Sequence, residues 1–125
     1  MIRRLVVLAL LAVACTTEQT PVPTAGSLTL TLAGAGNTDG AIVLLISGGP
    51  VVSVAVPTGY QVATNADGEG THVMVLGNLL VGTLATINVP DISRASSYVV
   101  TVVQVSDRNS FGLLDPVVYR VSVHP

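Results

Sequence analysis

The chain has 125 residues, enough for one domain, and half of them are apolar although only four are aromatic: Tyr60, Tyr98, Phe111 and Tyr119. With residues 1–14 set aside, three Arg face seven acids, a formal charge of −4, and there is no lysine anywhere. That balance excludes a basic surface for phosphate backbones and with it a nucleic-acid partner, while the single cysteine excludes an internal disulfide framework and a cysteine-based zinc site.

The chain opens with Arg3 and Arg4, a positive start, followed by an apolar stretch over residues 5–14. A bilayer-spanning helix needs about 20 apolar residues, so this stretch is too short to span. A positive start, a short apolar centre and small residues at its end describe a signal peptide, and no stop-transfer pattern follows Thr16. Ala12, Val13, Ala14 and Cys15 resemble the lipobox of bacterial lipoproteins. Val13 and Ala14 fit the two positions before the cysteine; Ala12 stands where leucine is usual, with Leu11 one position upstream. The resemblance implies that residues 1–14 are removed and that Cys15 is acylated and becomes the first residue of the mature chain. It also implies attachment to the cell envelope. Thr16 stands where many inner-membrane lipoproteins of enteric bacteria carry Asp, which points to the outer membrane. The other reading is an ordinary secretory signal with an incidental cysteine, giving a secreted protein without a lipid anchor. An exposed exported thiol is an oxidation liability. Two or three acyl chains hold to a membrane where one binds only marginally, at about 0.8 kcal/mol per buried CH₂.

Residues 16–27, TTEQTPVPTAGS, are polar and carry Pro21, Pro23 and Gly26. With Cys15 they read as a flexible or polyproline-like tether, leaving residues 28–125 as the folded domain.

From residue 28 onward the chain is a succession of strand signals. SLTLTLAG (27–34) alternates strictly, with Leu28, Leu30 and Leu32 on one face. AIVLLIS (41–47) is continuously apolar, the pattern of a strand buried on both faces or central in a sandwich. VVSVAV (51–56) follows a Gly-Gly-Pro turn, YQVAT (60–64) follows Pro57-Thr58-Gly59, and THVMVLG (71–77) follows NADGEG. GTLATINV (82–89) places Ala85, Ile87 and Val89 together. DISRASS (91–97) suits one helical turn capped by Asp91. SYVVTVVQVSD (97–107) places Val99, Thr101, Val103 and Val105 on one face and Tyr98, Val100 and Val102 on the other. VVYRVSV (117–123) places Val117, Tyr119, Val121 and Val123 on one side. Eight candidate strands separated by turn signals predict an all-β fold, an antiparallel sandwich or barrel, of which an immunoglobulin-like antiparallel β-sandwich is the expected form. Val and Thr are stiff at χ1 and suit the pleat. Pro50, Pro57, Pro90 and Pro116 fall at strand ends, where they blunt edges.

DGAIVLLIS (39–47) early, GTLATINV (82–89) late, and then VVTVVQVSDRNS (99–110) ending in Asp-x-Asn are distantly similar to cohesin and carbohydrate-binding-module β-sandwiches. Those domains bind partner proteins or polysaccharides through exposed sheet faces, so the resemblance implies binding and not turnover, and it supplies no residue-level site.

Three groups of residues invite a chemical reading. Asn65, Asp67 and Glu69 in NADGEG match the opening of a calcium loop, with oxygen ligands at alternate positions and a glycine at the turn. Position twelve of such a loop is Leu76 where a bidentate Glu belongs, so the competing reading is a hairpin turn made of good turn residues. His72 and His124 are the only imidazoles, too few for a zinc site. Arg108 and Phe111 share one polar loop, an Arg beside an aromatic as in binding anchors; the competing reading folds Phe111 back to cap the sandwich. No G-x-S-x-G occurs, and the mature chain has two Glu, Glu18 and Glu69. The expectation is a non-enzymatic lipoprotein of the envelope, held to the membrane through Cys15. It binds protein or polysaccharide, or serves as a structural component assembling through strand edges, and it needs no cofactor.

Overall fold

In the computed structural model, residues 22–34 and 39–125 are described. The expected signal peptide, the lipobox-like residues with Cys15 and most of the expected tether lie outside the described residues. β1 (Gly26–Ala33) already begins two residues before the expected start of the domain. Thr24 is docked as well, its carbonyl accepting from the Ile92 N–H at 2.8 Å.

Among the described residues the remaining strands are β2 (Asp39–Ser47), β3 (Ser53–Ala55), β4 (Gln61–Ala66), β5 (Thr71–Leu76), β6 (Gly82–Val89), β7 (Val99–Asp107), β8 (Leu113–Leu114) and β9 (Arg120–His124). They form two antiparallel sheets, ordered β3-β6-β1-β9 and β4-β5-β2-β7-β8. This is the expected all-β sandwich, with one short strand, β8, that its two-residue length hid in the sequence. Leu28, Leu30 and Leu32 from one sheet meet Ile42, Leu44 and Ile46 from the other, and all six are fully buried. Aliphatic packing thus replaces the aromatic core that the composition cannot supply.

The apolar run of β2 is central in its sheet, but only one of its faces is buried. Ile42, Leu44 and Ile46 point inward, and Ala41, Val43 and Leu45 point to the half-buried outer side. β3 keeps only the middle of the expected 51–56 strand, although the Val52 N–H still donates to Asn88 O at 2.8 Å.

Three facings differ from simple alternation. In β6, Leu30 pairs with Ala85 and Thr31 with Thr83, so Leu84 is an extra residue, and Leu84 and Ala85 are both buried. In β7, Val43 pairs with Gln104 and Leu44 with Val102, leaving Val103 as the extra residue. That bulge sends Val105 into the core and leaves Val99, Thr101 and Val103 outside. Val117 lies in a 3₁₀ turn, Pro116–Val118, capped by Asp115, and is 82% exposed; Tyr119, Val121 and Val123 keep the inward face. The expected single helical turn is a 3₁₀ turn, Ile92–Ser97, with the Asp91 side chain accepting from the Ser93 N–H as its cap.

Inside the sandwich, a polar contact is buried. The Tyr119 hydroxyl donates to Asp39 Oδ1 at 2.6 Å, and Asp39 is only 1% exposed. Asp39 Oδ2 is buried without a partner among the described residues.

Candidate functional site

The two outer faces differ in chemistry. On the four-stranded sheet the outward residues are Ser27, Thr29 and Thr31 of β1, Thr86 and Asn88 of β6, and Arg120, Ser122 and His124 of β9. Ser27 Oγ donates to Asn88 Oδ1 at 2.8 Å, and Asn88 Nδ2 donates to Ser53 Oγ at 2.7 Å, a polar ladder running across strands. On the five-stranded sheet the register places Ala63, Met74, Val43 and Gln104 in one row, and Gln61, Leu76, Ala41 and Ser106 in the next. No Lys, Arg, Asp or Glu lies in these rows, and Val43, Ala63 and Met74 line a shallow depression of about 250 Å³ with Asn65 and His72. A soluble sheet with one solvated face ordinarily alternates apolar-in, polar-out. Here the four-stranded sheet follows that rule, whereas the outer face of the five-stranded sheet mixes apolar side chains with uncharged polar ones.

One end of this apolar face is closed by the loop that carries Arg108 and Phe111. Asp107 builds the loop. Its Oδ1 accepts from the N–H of Asn109 at 2.7 Å and of Ser110 at 3.1 Å, while its own N–H donates to Gly112 O at 2.8 Å and its carbonyl accepts from the Phe111 N–H at 3.0 Å. The Arg108 guanidinium donates to Asn78 Oδ1 at 2.7 Å. The segment bearing Asn78 is in turn held by β2, through Gly77 N–H to Gly40 O at 3.0 Å and Leu79 N–H to Asp39 O at 3.1 Å. Gly40 is the unpaired residue of the β2–β7 irregularity, and a Cβ there would sit 2.8 Å from Arg108 Cα, so glycine lets the loop lie against β2. Phe111 does not fold back to cap the sandwich. It is 84% exposed, at φ 58°, the one described non-glycine residue with positive φ. A side chain kept in that region is over-determined by its surroundings, here the hydrogen bonds from Asp107. Arg108, Phe111, Ala41 and Leu76 line one cavity of about 140 Å³. The two residues singled out in the sequence are therefore brought together, and they abut the apolar face.

The NADGEG segment is the turn of the β4–β5 hairpin. The Asp67 N–H donates to Gly70 O at 2.9 Å, and the Glu69 N–H donates to Asp67 Oδ1 at 2.8 Å. Asp67 Oδ2 lies 3.2 Å from His72 Nδ1. Asn65 lies in β4, and Asp67 and Glu69 lie in the turn; among the described residues, no three His, Cys, Asp or Glu come together as a metal site. His124 lies on the other sheet, with Ser122 Oγ 3.0 Å from its Nε2. A hydrolytic triad needs hydroxyl, imidazole and acid in one chain of contacts; here one imidazole has the acid and the other has the hydroxyl, on different sheets.

At the opposite end of the sandwich, Pro23, Pro50, Asp91, Arg94 and Tyr98 line a cavity of about 180 Å³. Ser93 Oγ, donating at 2.6 Å, holds the Asp91 carboxyl below its ordinary 3.8, helped by the Ser93 N–H and the Arg94 charge and opposed by desolvation. Burial, with the Asp91 charge behind it, pushes the Tyr98 phenol above its ordinary 10.0, against the pull of Arg94. A carboxyl depressed in the folded state contributes stability above its unfolded value, and that contribution is lost as pH falls through the folded value. Asp91→Asn, which keeps an oxygen at the cap but removes the charge, is therefore expected to be less stable than wild type at neutral pH. The gap should close as the pH drops below 3.8, as read by denaturant titrations across pH. A pH-independent gap would contradict the assignment.

Sequence reasoning missed Ala41, Val43, Leu45 and Met74 as surface residues. The signal was the absence of alternation in AIVLLIS: a strand buried on one side only, yet apolar throughout, has to expose an apolar face. Compared with family models, curated proteins and solved structures, the chain shows a significant match to none.

Proposed function

We propose that this protein is an exported lipoprotein of the bacterial envelope whose β-sandwich is a non-catalytic module that binds a protein ligand. The observation that carries the binding reading is Phe111, 84% exposed and fixed by its loop beside Arg108 at the rim of an uncharged sheet face. Aromatic and Arg anchors around an apolar patch dominate protein interfaces. A polysaccharide ligand is favoured less. Stacking on sugars calls for an aromatic platform, and the chain has no Trp, while Tyr98 and Tyr119 are buried and Tyr60 accepts a hydrogen bond from the Leu80 N–H at 3.0 Å. Absence of turnover is part of the proposal, supported by the separation of the two imidazole contacts onto different sheets. The lipid anchor rests on the lipobox-like residues 12–15.

Two measurements test it on the full chain. Cys15→Ser is expected to move the protein from the membrane to the soluble fraction; partition like wild type defeats the anchor. Pull-down with wild type against Phe111→Ala, run beside a glycan array, is expected to find a protein ligand. Phe111→Ala should weaken its capture by about 2 kcal/mol, roughly thirtyfold. Clean negatives in both assays defeat the binding reading.

A further inference from the structure

The two sheets have four edge strands, β3 and β9 in one and β4 and β8 in the other. An open edge is a template for another strand, and proteins blunt edges with short length, charge, proline or bulges. β3 has three residues between Pro50 and Pro57, and β8 has two residues before Pro116. β9 carries Arg120 and His124 at its two ends and stops at Pro125. The part of β7 beyond its short pairing with β8 is interrupted by the bulge at Val103. β4 has none of these devices. Gln61–Ala66 is six residues long, contains no charge and no proline, and pairs with β5 in unbroken register.

The hairpin fixes which groups of β4 are open. Asp67 N–H bonds to Gly70 O, and antiparallel ladders alternate. Asn65, Ala63 and Gln61 therefore turn their N–H and C=O groups toward β5, and Val62, Thr64 and Ala66 turn theirs away from the sheet. We propose that β4 pairs antiparallel with β4 of a second copy of this chain, about a twofold axis at Thr64, joining two five-stranded sheets into one.

Three features favour a second copy as the occupant. Centred on Thr64, Thr64 faces its own copy and Val62 faces Ala66, so every open donor and acceptor of the strand finds a partner in an isologous contact. The pairing also keeps like faces together, as a one-residue slip would not. The folded domain is acidic, and two acidic copies meet most readily where neither carries charge. The antiparallel arrangement places the two hairpin turns, each with Asp67 and Glu69, at opposite ends of the joined ribbon. This inference does not depend on the Phe111 rim, which lies beyond β5 and β2 from this edge.

The test uses the full chain carrying Cys15→Ser, so that Thr64→Cys introduces its sole thiol. Opposed strand positions lie within disulfide reach. Oxidation is expected to yield a covalent dimer from Thr64→Cys, and no more than background from Ser96→Cys, an exposed position far from this edge. In density-matched mild detergent, sedimentation equilibrium is expected to give twice the protomer mass for the Cys15→Ser chain and the protomer mass once Thr64→Lys is added, with unchanged circular dichroism. A protomer mass without Thr64→Lys, a Thr64→Lys variant that stays dimeric, or cross-linking at Thr64 no greater than at Ser96 would each overturn the proposal.

Discussion

Gly48→Ala is expected to cost roughly 3 kcal/mol or more, because two penalties coincide there. Gly48 sits at φ 93°, where an L side chain is strained, and its added Cβ would land on the backbone carbonyl of Ser97. Neither partner has slack. Ser97 Oγ donates back to Gly48 O at 3.2 Å, Ser47 pairs with Val99, and the Tyr98 hydroxyl donates to Pro50 O at 2.6 Å. Gly59 separates the two penalties. It has φ 96° and open space around its missing Cβ, so Gly59→Ala carries the backbone strain alone, about 1–2 kcal/mol. Denaturant midpoints of the two variants measure the difference; equal losses would mean that the Ser97 collision is relieved by movement.

Tyr119→Phe is expected to destabilise the domain by about 1–3 kcal/mol, the range for stranding a buried acceptor. Asp39 is 1% exposed, its Oδ2 already lacks a partner among the described residues, and its Oδ1 is held by the Tyr119 hydroxyl. Removing one oxygen atom leaves the whole side chain without a donor among the described residues while barely changing volume. At about 4–8 °C per kcal/mol for a domain of this size, a loss near 2 kcal/mol lowers the midpoint of thermal unfolding by roughly 10 °C. The double variant Tyr119→Phe/Asp39→Leu is expected to recover part of that loss, since an apolar pair no longer strands an acceptor. If the single variant melts like wild type, the contact does not hold the two sheets.

The all-β class and most of the inward residues were legible because a strand buried on one face writes its burial with period two. Leu28, Leu30 and Leu32 against Ser27, Thr29 and Thr31 is the clearest instance. The failures at Val105 and Val117, and the burial of Leu84 beside the correctly placed Ala85, share one cause. A bulge or a 3₁₀ turn shifts the period by one residue, and where it falls depends on the partner strand, which local sequence does not name. Strand order was illegible for the same reason. Arg108 and Phe111 could be singled out as a pair, but not the outward pose of Phe111. A lone aromatic is ordinarily buried, and the Asp107 hydrogen bonds that fasten the loop become visible only once the turn is built.

The strand order also sets a schedule for the chain. β1, the first strand, is flanked in its sheet by β6 and β9, so Leu28 waits for Ile87 and Leu30 waits for Val123. The β4–β5 hairpin pairs neighbours in sequence and can form early; the first sheet closes only when the last strand has been made. Non-local pairings of this kind fold slowly, on the order of milliseconds to seconds. A polypeptide that cannot complete its fold before its C-terminus is synthesised stays extended long enough to be threaded through a translocation channel. For the exported protein proposed above, slow closure of β1 against β9 would in that sense be an asset, and moving β9 ahead of β1 by circular permutation is expected to speed refolding.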